Sequence, residues 1–437
     1  MNISNLLSKL DCDYAEVRTE EKEATSISLS NDEIDASTGP SYGISVRILK
    51  NGSWGFSSSN RPGDLPSLLK SAERLASLSK GKIKVAECKK RSARVSLKTS
   101  LPHIEEKIDL VKEAARHAEG KYIHNRSCRL FDSLVKKEFY NSEGTEILQD
   151  SFHVYFSCTA TAKDGTAQQR GQETSASGSG YKEIKFTETA KDAARKAEAL
   201  LIAIPAKKGV FTVVLDPEMT GVLSHEAVGH ACEADAVIDR ESILRGKIGK
   251  RIGNNFVTIY DDPTAKNFGT YKFDDEGVEA KKTVLVERGI LRGYINSRST
   301  AKELGHTPNG HARAEDFESA PVVRMSNTYF MPGKASKEDV MDIRDGIYLK
   351  GMKGGSVDIF SGGFMFAAEL AYEIKNGEIG KMIRDTGISG NILETLHNIE
   401  LVGKDFGTSP GFCGKAGQHA PVSDGGPHIR VKKVRIG

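Results

Sequence analysis

An α+β chain in two parts is what the sequence predicts: a mixed sheet-and-helix unit over residues 1–205, followed by a strand-rich unit over residues 206–437. Three observations lead there. Period-two hydrophobic stretches alternate with three amphipathic stretches before residue 205. Hairpin signals dominate after it. The chain's 437 residues also exceed the size, roughly 250–300 residues, at which a single core stops growing.

The elements follow in order. Over 13–35, Ala15, Val17, Ile27 and Leu29 sit between polar neighbours, and 43–49 repeats the alternation before the turn pair Asn51-Gly52, so hairpin-joined strands are expected. Asp64 ahead of Pro66, with Leu68, Leu69, Ala72, Leu75 and Leu78 behind it, predicts an amphipathic helix with an acidic N-cap. A second helix is expected over 104–119, strands over 126–178, and a third helix, rich in Ala and Lys, over 188–203. Pro205 and Gly209 bracket a short basic link that precedes an apolar strand at 210–215. Beyond it, 283–291 and 371–379 each place a turn signal between apolar alternations.

Composition excludes several classes. With 38% hydrophobic and 28% charged residues the chain is expected to fold. A balance of 62 Lys+Arg against 59 Asp+Glu gives no argument for a nucleic-acid or membrane surface. The N-terminus lacks a basic stretch followed by an apolar one, and no run reaches the roughly 18 apolar residues of a membrane span, so a cytoplasmic location is expected. Six cysteines without a CxxC pair argue against a disulfide framework or a four-cysteine zinc site.

The chemistry starts where strand 210–215 ends. Asp216 is placed to cap a helix and Pro217 to begin it. That helix runs into His225-Glu226-Ala227-Val228-Gly229-His230, which makes it the metal-binding helix of the strand-rich unit. His followed at once by Glu is the pairing of zinc peptidases, yet the second His stands five residues on rather than four. On a regular helix that spacing sets the imidazoles roughly 140° apart. A helix end at Gly229, or a π-type turn there, brings them to one face, and glycine accepts unusual backbone. A catalytic zinc takes three protein ligands and keeps a fourth position open. Glu233, Asp235, Cys413 and His419 are the candidates for the third, and spacing does not choose among them. Glu226, next to a ligand without needing to be one, is placed to act as general base toward metal-activated water.

These residues resemble the TldD/PmbA (TldD/TldE) family of metallopeptidases, in its TldD-type, metal-bearing branch. The likeness runs from 43–47 through 224–230 and 274–277, then 309–313, 324–329 and 354–358, to 413–418, nearly the whole chain. It implies that His225, His230 and Cys413 bind one Zn2+ per catalytic subunit and that Glu226 is the general base of a peptidase. It implies further a heterodimer with a paralogous non-catalytic TldE/PmbA-type subunit, or else a homodimer, acting on unfolded or leader peptides that enter as extended strands. The competing reading is a non-catalytic regulatory or chaperone-like protein of the gyrase-modulator type with a structural metal.

Three further features carry less. Gly354-Gly355 reads as a turn or bulge. His311 and Arg313 read as loop residues that contact substrate or form a structural ion pair. The acidic run Asp274-Asp275-Glu276-Gly277 lacks the spaced ligands of a calcium loop and reads as a turn.

Overall fold

The computed structural model describes residues 3–97 and 99–437, and it has the α+β character that the sequence predicts. A seven-stranded sheet occupies the first half. Its main path runs Ser53–Ser59, Glu33–Lys50, Tyr14–Ser30, Ile123–Asn141, Glu146–Asp164, Ser92–Val95, and Ala167–Ser177 also pairs with Glu146–Asp164. Asn51 and Gly52 both take positive φ, 54° and 71°, as a two-residue hairpin turn demands.

Helices cover the apolar face of this sheet. Helix Leu65–Ser77 buries Leu65, Leu68, Leu69, Ala72 and Ala76 against Ala15, Val17, Ile44, Val46 and Ile48. Two residues of the expected stripe fall outside it: Leu75 is 46% exposed, and Leu78 lies beyond the helix end at 72%. Asp64 makes no side-chain cap either, because its carboxylate accepts from Ser59 Oγ at 2.5 Å. Helices Ile104–Arg116 and Phe186–Leu201 pack small residues, among them Ala114, Ala193 and Ala197, on Ile27, Leu130, Val154 and Phe156.

Two large sheets, a two-stranded pairing of Ala312–Arg313 with Val322–Val323 and a run of helical turns stand in the second half. Strand Gly209–Leu215 lies between Asp345–Asp358, parallel to it, and Ile429–Ile436, antiparallel, in an eight-stranded sheet. The six-stranded sheet contains Asn327–Phe330, then Gln418–Gly426, and ends on Gly407–Lys415. Gly354-Gly355 adjoins a register shift after Met352 and is a bulge within a strand. The largest core, with Leu215, Leu223, Val228, Met325 and Phe330, fills the space around the helical run. Among the described residues no helix is long and apolar enough to cross a membrane.

The acidic run 274–277 is a turn, closed by Asp274 Oδ1 accepting from Glu276 N and Val278 N. It also joins the halves. Glu276 meets Arg47 at 2.6 Å and accepts from Arg298 N, and Asp275 meets Lys137 at 2.9 Å.

Candidate metal centre

The helical run begins as its sequence dictates. Strand Gly209–Leu215 ends at Asp216, whose extended backbone (ψ 175°) and Oδ1, accepting from Met219 N at 2.9 Å, cap the helix that Pro217 opens. The run is α-helical over Pro217–Val222, π-helical over Leu223–Gly229 and 3₁₀ over His230–Cys232. Within it His230 N–H donates to His225 O, a closure across five residues rather than four. The wider turn sets the two imidazoles side by side, ring centroids 5.2 Å apart and planes at 90°.

Gly229 is needed for a different reason than its backbone freedom. Its φ and ψ, −56° and −58°, are ordinary helical values. A Cβ there would lie 2.0 Å from Met325 Sδ, so the glycine permits close packing of the π turn on a buried methionine.

Of the four candidates for a third ligand, one joins the histidines. Cys413 Sγ lies 3.6 Å from His230 Nε2, and one donor atom each from His225, His230 and Cys413 fall within 4.8 Å of one another. Glu233 and Asp235 face elsewhere: Glu233 Oε2 is 3.2 Å from His230 Nδ1 and 3.1 Å from Lys415 Nζ, and Asp235 pairs with Lys415 at 2.7 Å. His419 is exposed, 4.0 Å from Glu315. The Cys413 carbonyl accepts from the fully buried Arg324, which also donates to Gln418 O at 3.0 Å and so grips both arms of the hairpin. Glu226 points a carboxylate oxygen to 3.8 Å from His230 Nε2 and, with its side chain at 36%, is more exposed than His225, His230 or Cys413.

Electrostatics favour an ionised sulfur. Burial works against the Cys413 thiolate, but hydrogen bonding and charge from His225 and His230 outweigh it and bring the thiol down to about 5. Burial likewise opposes charge on His230, and Glu233 with Cys413 reverses that and raises it well above the usual histidine range. Burial pushes Asp424 up to about 7 and Glu218 up to about 8. His225 Nδ1 is buried without a hydrogen-bond partner among the described residues. Two imidazole nitrogens and a low-lying thiol, one histidine carrying an orphaned nitrogen, form a donor set that fits a borderline-soft divalent ion such as zinc.

His311 and Arg313 lie apart from this cluster. His311 is fully buried, with Nε2 2.9 Å from Asp261 and Nδ1 3.0 Å from Asn309, a structural pair. Arg313 donates to Met325 O at 2.7 Å and stacks on Tyr271. Arg324 and Met325 lie in the stretch 324–329 that carries the resemblance, but sequence reasoning gave neither a role. The only available hint for Lys415 was its place two residues from Cys413, on the same strand face.

Three family profiles match in series: PmbA/TldA metallopeptidase domain 1 at residues 15–79, the central domain at 98–201 and the C-terminal domain at 208–437. A metalloprotease of Methanothermobacter thermautotrophicus is 40% identical over 97% of this chain and 95% of its own length. A zinc metalloprotease TldD homolog of Saccharolobus solfataricus is 32% identical over 98% and 97%. Among solved structures, TldE of Thermococcus kodakarensis superposes with a TM-score of 0.80 at 21% identity, covering 100% of this chain and 99% of that one. A Thermotoga maritima protein whose name connects it with modulation of a DNA gyrase gives 0.80 at 23%, over 97% and 96%. From end to end of its three matched segments, the chain belongs to the PmbA/TldD family of metallopeptidases.

Proposed function

We propose that this chain is a zinc-dependent peptidase that hydrolyses unfolded or extended peptides, with His225, His230 and Cys413 as metal ligands and Glu226 as general base. The convergence of those three donors within 4.8 Å, from residues up to 188 apart in sequence, is the observation that carries the reading. His225, His230 and Cys413 would hold the ion. When bound, zinc would supply a Lewis acid that polarises a carbonyl and eases deprotonation of water. Glu226 takes the proton of the attacking water on its carboxylate and returns it to the departing amine. Its greater exposure suits a group that meets substrate, whereas His225 is 3% exposed.

Substrate selection follows from the position of Cys413. Strand Gly407–Lys415 is the edge of its sheet, paired only with Gln418–Gly426 among the described strands, and in this proposal an extended peptide pairs with its backbone on the other side. Such pairing reads little sequence. The catalytic unit in this proposal is 206–437, the chain acts in the cytoplasm, and its partner is a TldE-type subunit or a second copy, the first supported by the likeness to TldE.

Glu226→Gln is the test. The variant keeps its zinc, and its cleavage of an unfolded peptide falls by about 10²–10⁴. Cleavage at the parent rate refutes the assigned role. The Thermotoga neighbour's name favours a second reading, a binding protein with a structural metal, which requires partner binding that survives both chelation and Cys413→Ser.

A further inference from the structure

We infer that Glu233 and Lys415 are positioning residues of the metal centre: Glu233 fixes which nitrogen His230 offers, and Lys415 fixes where its strand presents Cys413. This rests on the zinc reading above. His230 is contacted on both sides of its ring. Nε2 faces Cys413 Sγ at 3.6 Å, and Nδ1 faces Glu233 Oε2 at 3.2 Å. A carboxylate behind the ring accepts the Nδ1 hydrogen, which leaves the Nε2 lone pair directed at the site and makes the imidazole a better donor. Glu233 is therefore the support of a ligand and not a ligand itself.

Lys415 performs the second task. It lies two residues beyond Cys413, so both side chains leave the strand on one face. Its Nζ is 3.1 Å from Glu233 Oε2, 2.7 Å from Asp235 Oδ2 and 2.9 Å from the Val323 carbonyl. One ammonium thus ties the segment that follows His230 to the strand that carries Cys413. The strand needs such a tie, because it pairs on one side only and Lys415 is its last residue before the two-residue turn at Ala416-Gly417.

The environment gives these contacts weight. Glu233 is 2% exposed, and a carboxylate that deep persists only when it is paired. His230 Nδ1 and Lys415 Nζ both converge on its Oε2, while Oε1 has no partner among the described residues. The orientation of the carboxylate is accordingly set by His230 and Lys415, the two residues that connect it to the site.

The test uses the full-length chain, stripped of metal and titrated with Zn2+ and Co2+. The parent binds Co2+ with a thiolate-to-cobalt absorption band, and Glu233→Gln and Lys415→Met each weaken Zn2+ binding by about 10–100-fold. Lys415→Met also loses intensity in the thiolate band as Cys413 falls out of register, and Lys415→Arg, which keeps the charge, restores part of it. Unfolding of the metal-free variants is followed in parallel, so that a general loss of fold is separated from a loss of ligand geometry. Should Lys415→Met fail to fold, the Glu233→Gln affinity decides. A parent that binds metal, with variants matching it in affinity and band, overturns this inference and leaves the zinc reading standing. A parent that shows no thiolate band overturns both.

Discussion

Gly229→Ala tests the geometry that makes a five-residue histidine spacing workable. The added Cβ would stand 2.0 Å from Met325 Sδ, 3.3 Å from its Cγ and 3.5 Å from its Cε, against the roughly 3.5–4.0 Å of a relaxed contact. Met325 is fully buried in the largest core and has no solvent to swing into, so the neighbours must yield. Overpacking of this kind costs about 1–3 kcal/mol. Replacing a helical glycine by alanine returns up to about 1 kcal/mol. With the full return the balance is a loss of up to about 2 kcal/mol, and because His230 follows Gly229 directly, weaker zinc binding accompanies it. Denaturant unfolding of the metal-stripped chain and a zinc titration measure the two effects. In Gly229→Ala/Met325→Ala the clash is gone, so the double variant should lose less than the sum of its parts by about 1–3 kcal/mol. A Gly229→Ala chain as stable as the parent, with parental zinc affinity, refutes the argument, and so does strict additivity in the double variant.

Further expectations follow from the same interior. Burial raises Glu218 from its ordinary 4.5 to about 8, so the folded state holds a proton that the unfolded state releases; the stability this gives is complete below pH 4.5 and is lost as pH rises through 8, on the order of 4 kcal/mol. Glu218→Gln, which can keep the acceptor for Met352 N, should therefore gain on the parent as pH climbs from 5 to 8.5, and a gap in urea midpoints that does not change with pH contradicts this. The Cys413 thiol of the metal-stripped protein should ionise near pH 5, read as thiolate absorbance in the parent minus Cys413→Ser; a midpoint between 8 and 9 removes the claim that the histidines hold it down. Phe412→Ala removes ring contacts to Tyr155 and Phe268, both at 5.3 Å, and should cost about 1–2 kcal/mol and weaken zinc binding, whereas unchanged affinity means that packing on this face does not position Cys413.

What was legible in the sequence was local. The Asn51-Gly52 hairpin, the Asp216-Pro217 helix start and the need for an unusual turn between His225 and His230 each depend on neighbours in sequence, and each stands in the structure. The reason for Gly229 was not readable, since it lies in Met325, 96 residues away and brought there by the core. The helix over Leu65–Ser77 was legible as a stripe, but which leucines it buries depended on a sheet that the stripe does not describe. The turn at Ala416-Gly417 gave no signal, because alanine at φ 52° is not a residue from which a turn is inferred.

Cys413 shows most clearly why a short motif does not specify a site. Its strand alternates: Cys413 and Lys415 face the helical run, and Phe412, one residue before Cys413, faces Phe131 and Tyr155 of the first sheet. The strand therefore reads two surfaces at once, and a slip of one residue would turn Phe412 toward the histidines and Cys413 toward the aromatic wall. Correct register requires the first-half sheet on one face, the Glu233–Lys415 contact on the other and Arg324 across the hairpin backbone. The two histidines come from one segment and are brought together by one turn. The third candidate donor is placed by agreement among three distant parts of the chain, which is why spacing did not choose it and only the resemblance singled it out.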